Sequence, residues 1–157
     1  MNWIAYSFML FTCIASEWVL RPWLGLGLAS VDLPVLFVLW LAQQVPKRWA
    51  LVMALALSAL RATFGIDSIM LCAGPLIASA SLLWVVRGAV NLRELYFRTV
   101  WTSLATGLYI WLDGGWRLGL AESDPLNAVI GAGATALAVP LFFPILDACL
   151  SSPRSTR

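Results

Sequence analysis

The sequence predicts an all-α, polytopic transmembrane helix bundle of six spans. Three observations carry that expectation. Of 157 residues, 61% are hydrophobic and 11% charged, with a mean hydropathy of +0.86. A soluble domain holds roughly 45–50% apolar and about 25% charged residues, and a chain this short has too little interior to bury the excess. The apolar residues also fall into six runs separated by short polar breaks. Finally, the few charges alternate in sign from break to break.

A spanning helix needs about 20 mostly apolar residues. The first candidate runs from 3 to about 20, with Glu17 near its end. It is expected to be a retained anchor, because the N-terminus lacks the basic start and small-residue cleavage site of a secretory signal. The apolar stretch 22–28 is broken by Pro22, Gly25 and Gly27, so it reads as an interfacial piece or a bent extension of the next helix. The second span covers about 32–44 and is short. The third covers 49–64 and is rich in Leu and Ala. The fourth covers 69–86, the fifth 95–112 and the sixth 126–150. Residues 1–150 thus form one membrane domain, and 151–157 a short polar tail.

The charges supply an orientation. Lys47 and Arg48 follow span two; Arg87, Arg93 and Arg98 lie around the break after span four; Arg154 and Arg157 follow span six. The opposite breaks hold only Arg21, Arg61 and Arg117, together with the acids Glu17, Asp32, Asp67, Asp113, Glu122 and Asp124. The positive-inside rule places both termini in the cytoplasm. Eight of the nine tryptophans fall near predicted helix ends or in flanking loops, as interfacial belts require; the remaining one is Trp40.

Motifs for chemistry are sparse. With no histidine, the commonest general base and metal ligand is missing. Cys13, Cys72 and Cys149 lie far apart in apolar runs, without metal-binding spacing. No nucleophile elbow, zinc motif or phosphate loop occurs, so no catalytic residue, metal or cofactor is expected. No span shows a polar stripe along its whole length, so a channel is not expected either. A net charge of +2 gives no reason to expect nucleic-acid binding.

Three features stand out. Glu17, Arg21, Asp32, Arg61 and Asp67 converge on the outer face, where Arg61 could pair with Asp67, Asp32 or Glu17. The cluster reads either as interfacial salt bridges or as a polar site for a partner. Ala54 and Ser58 in span three, and Gly131, Ala134 and Ala138 in span six, have the small side chains that allow close helix packing. Pro140 and Pro144 predict a kink in span six.

The order of several stretches resembles the rod shape-determining protein MreD family. They are Val31-Asp32-Leu33-Pro34 at the start of span two, Pro46-Lys47-Arg48-Trp49, Leu60-Arg61-Ala62-Thr63-Phe64-Gly65-Ile66-Asp67, and Pro140-Leu141-Phe142-Phe143-Pro144-Ile145-Leu146-Asp147. Ala59 and Leu60 stand where that family usually has a glycine. The resemblance implies a non-catalytic inner-membrane component of the cell-elongation machinery. Its implied partners are an MreC-like single-span protein, the cell-wall synthase complex (a glycosyltransferase with a class B transpeptidase), indirectly an MreB-like filament, and membrane lipid. It also implies a fold similar to the substrate-binding components of energy-coupling-factor transporters. A vitamin-binding component of that kind is therefore the alternative function. Against it, Ala5 is followed four residues later by Met9, so the paired alanines of such components are absent, and 24–31 offers only Ser30 as a polar ligand.

Overall fold

The computed structural model describes residues 3–23, 32–64, 69–89, 94–118 and 125–150, with side chains for all of these but 3, 17, 18, 20–23, 64, 89 and 116–118. The described residues are all-helical: α1 (Trp3–Trp23), α2 (Leu33–Gln44), α3 (Lys47–Phe64), α4 (Ile69–Ala89), α5 (Leu95–Leu118) and α6 (Pro125–Leu150). Each expected span corresponds to one helix. α4 and α5 run several residues past their expected ends.

Local chemistry sets the boundaries of α2. Asp32 caps it, its Oδ1 accepting a hydrogen bond from Val35 N at 3.0 Å. An N-terminal cap satisfies one of the amides that a helix start leaves open. Pro34 is tolerated in the first turn, where its missing N–H is no loss. At the other end Val45 precedes Pro46, and the proline ring forces its neighbour out of helical geometry. Val45 is extended, with φ −109° and ψ 163°. The chain turns here, and the Pro46 carbonyl accepts from Trp49 N and Ala50 N to start α3.

α2 is the axis of the bundle. Every residue from Pro34 to Gln43 is buried, and the helix packs against each of the other five. Trp40, Phe37, Leu36 and Leu39 are among the largest fully buried side chains.

The surrounding helices turn large apolar side chains outward. On α1 these are Ile4, Phe8, Phe11 and Val19; on α6, Leu126, Val129, Leu137, Leu141 and Ile145. The opposite stripe of α6, Gly131, Thr135, Val139, Phe143 and Leu146, is buried. α6 continues as one helix through Pro140 and Pro144, and α4 continues through Pro75.

Consecutive helices alternate in direction. Tyr6, near the start of α1, packs against Trp40, near the end of α2. The Tyr6 hydroxyl donates to the Leu150 carbonyl at the end of α6. Arg87, near the end of α4, donates to the Val45 carbonyl beyond α2. The starts of α1, α3 and α5 therefore share one end of the bundle with the ends of α2, α4 and α6. α4 and α6 are long and apolar enough to cross a membrane, and shorter apolar stretches span Ile4–Ser16 and Leu33–Gln44.

Candidate functional site: the two ends of α2

Charged side chains meet at both ends of the enclosed helix. At its start, Arg61 Nη2 lies 2.6 Å from Asp32 Oδ2, and Arg61 Nη1 donates to the Tyr109 hydroxyl at 2.8 Å. Asp32 thus caps α2 through one oxygen and pairs with α3 through the other, while Tyr109 ties in α5. The pair is partly open, with 25% of Arg61 and 21% of Asp32 exposed. Of the five residues expected to cluster here, the structure brings Asp32 and Arg61 together. Asp67 and the side chains of Glu17 and Arg21 lie outside the described residues.

The other end is more elaborate. Asp147 Oδ2, on α6, accepts from Arg98 Nη1 of α5 at 2.7 Å. Asp147 Oδ1 accepts from Trp40 Nε1 at 2.9 Å and from Gln44 Nε2 at 3.3 Å. Arg98 Nε donates to Gln43 Oε1 at 3.3 Å, and Gln43 Nε2 donates to Thr102 Oγ1 at 2.8 Å. The Arg98 guanidinium also sits 4.8 Å from the Phe143 ring centroid, a cation–π geometry. Arg98 is 7% exposed and Asp147 36%.

This cluster is not visible in the sequence alone, where Arg98 reads as a topology-setting charge and Asp147 has no evident partner. The available signal was an acid set into an apolar span, which in lipid requires a counter-charge. Two amides, Gln43 and Gln44, close the otherwise apolar α2 and were a second signal.

A further correction concerns α5. Arg98, Thr102, Thr106, Tyr109 and Asp113 recur every three or four residues, so one face of this helix is polar over most of its length. Thr106 Oγ1 is buried without a hydrogen-bond partner among the described residues. Arg98, Thr102 and Tyr109 are bonded to side chains of α2, α3 or α6, so this stripe stitches helices together.

The small residues take several positions. Ala54 and Ser58 are buried inside the bundle, and the Ser58 hydroxyl donates back to the Ala54 carbonyl. Gly131 faces α5, where an added Cβ would collide with Ile110 Cδ1. Ala134, Ala138 and Pro140 are half-buried and Pro144 is exposed. Ala54, Ser58 and Gly131 are thus occupied by packing within the chain.

Asp32 and Asp147, at the two ends of α2, each meet a guanidinium and fixed hydrogen-bond donors. That arrangement holds helices in register. Among the described residues no three His, Cys, Asp or Glu side chains come together as a metal site. Compared with protein-family models, curated proteins and solved structures, the chain matches none.

Proposed function

We propose that this chain is a non-catalytic, six-span scaffold of the bacterial inner membrane, with both termini in the cytoplasm. In this reading it belongs to the cell-elongation machinery and binds the transmembrane helix of an MreC-like single-span partner. It would thereby influence the glycosyltransferase and class B transpeptidase that build the cell wall.

The observation that carries the reading is the division of labour in the bundle. The charged and amide side chains around α2 are engaged with one another, while α1, α3, α4, α5 and α6 expose large apolar side chains. An exterior of that kind suits lipid and a partner's helix, where association relies on packing and close approach. The length of α2 fits as well. Twelve residues at 1.5 Å each cover about 18 Å, less than the roughly 30 Å hydrocarbon core. Charges at its ends then lie within or close to the apolar layer, which is where ion pairs are required. Asp32, Arg61 and Asp147 also belong to the stretches that resemble the MreD family.

Affinity purification from native membranes, read by mass spectrometry, tests the proposal. Recovery of a single-span periplasmic protein together with cell-wall synthases is the expected result. Recovery of an ATPase pair with a coupling membrane subunit would replace it with the transporter-component reading. For orientation, a periplasm-dependent reporter fused after Leu92 should stay dark.

A further inference from the structure

The end of the bundle that carries Asp147 also carries a basic surface that the scaffold reading leaves unused. Lys47 and Arg48 open α3 and are exposed, and Arg87 near the end of α4 is exposed as well. They are neighbours: Arg87 Nη1 donates to the Val45 carbonyl at 2.9 Å, two residues before Lys47. That bond fixes the Arg87 side chain beside the α2–α3 turn. Arg48 lies 5.3 Å from the Trp49 ring centroid, so one basic group is stacked on an indole of the kind that settles at headgroup depth. Two acids stand at this end among the described residues. Asp147 is held by Trp40, Gln44 and Arg98, and Glu94 is exposed before α5.

Below Arg48 the same face of α3 becomes apolar. Arg48, Val52 and Leu55 are exposed at spacings of four and three residues, which places them on one face of α3. An occupant of this surface must combine a negative head with a long apolar body. An acidic peptide would satisfy the arginines and leave Val52 and Leu55 uncovered.

We infer that Lys47, Arg48 and Arg87 form a binding site for the headgroup of an anionic phospholipid, whose acyl chains lie along Val52 and Leu55 of α3. The site rests on the membrane reading above and is independent of the identity of any protein partner. Clustered basic residues at a membrane surface attract anionic lipid, each contributing about a fivefold gain in binding.

The test is native mass spectrometry of the full chain in detergent micelles, titrated with phosphatidylglycerol or phosphatidylcholine of identical acyl chains. Phosphatidylglycerol should be retained at least tenfold better, on the order expected for two or three basic contacts. R48Q should lose about fivefold of that preference, and K47Q/R48Q/R87Q should abolish it, while R117Q should leave it unchanged. Equal retention of the two lipids by the native chain would overturn the site, and that comparison stands even if the triple variant does not fold. An unchanged preference in R48Q would overturn it too, as would competition by glycerol 3-phosphate at the same concentration as the lipid. A chain that stays in solution without detergent would instead remove the membrane reading itself.

Discussion

The two ends of α2 solve one problem with different chemistry. At the Asp32 end a single carboxylate serves two helices: it caps α2 and pairs with Arg61 of α3, and Tyr109 of α5 completes the contact. At the Asp147 end the carboxylate comes from α6. Three side chains from α2 and α5 donate to it, and Arg98 is held in addition by Gln43 and Phe143. The ion pair at the Asp32 end joins helices adjacent in sequence; the Asp147 end joins Trp40 to a residue 107 positions away. The first pair thus orders the local α2–α3 hairpin, and the second closes the bundle.

This difference predicts a hierarchy of damage. D147A should be the most harmful single change, because it strands the nearly enclosed Arg98 and leaves Trp40 Nε1 and Gln44 without their acceptor. Removing one partner of a buried pair costs about 3–5 kcal/mol, measurable by equilibrium unfolding in mixed micelles. R61L comes next. Its partner Asp32 is more open and keeps its cap bond, so a loss of about 1–3 kcal/mol is expected, checked by the same unfolding assay. If R61L proved more costly than D147A, the local hairpin rather than the closure by α6 would dominate. D32N separates the two tasks of Asp32. Asparagine caps helices as well as aspartate, so D32N should cost less than D32A by about 1 kcal/mol.

The packing seam between α5 and α6 offers a smaller contrast within one helix. G131L should destabilise, since the side chain must displace Ile110, by about 1–3 kcal/mol. An added Cβ at Gly133 meets nothing within 4 Å, so G133A should stabilise by up to about 1 kcal/mol. Both are read from melting temperatures in detergent. T106V should have the smallest effect: its hydroxyl has no hydrogen-bond partner among the described residues, so replacing it with a methyl should be neutral or slightly stabilising.

Much of the fold is legible in the sequence. Helices of 18–26 residues announce themselves by their long, mostly apolar runs, and Pro46 and Pro125 mark helix starts from their own stereochemistry. The pairing of Arg61 with Asp32 lay among the alternatives that charge scarcity suggested. The enclosure of α2 was less visible, although 33–42 contains no charged residue and Asp32 precedes it in a capping position. What stayed hidden was long-range pairing. A lone arginine in a first helical turn looks the same in sequence whether it marks the cytoplasmic side or turns inward to an acid 49 residues away, as Arg98 does. The stripe from Thr102 to Tyr109 was hidden for a related reason: single hydroxyls scattered among apolar residues gain meaning only when a neighbouring helix fixes which face is inward.

The account stands or falls on whether Arg98 and Asp147 act as a unit that closes the bundle. A double-mutant cycle of R98L, D147L and R98L/D147L, followed by unfolding free energy in mixed micelles, measures this directly. The coupling between the two sites should be at least about 2 kcal/mol, with the double variant less damaged than the sum of the singles. Additive losses, within about 0.5 kcal/mol, would contradict it.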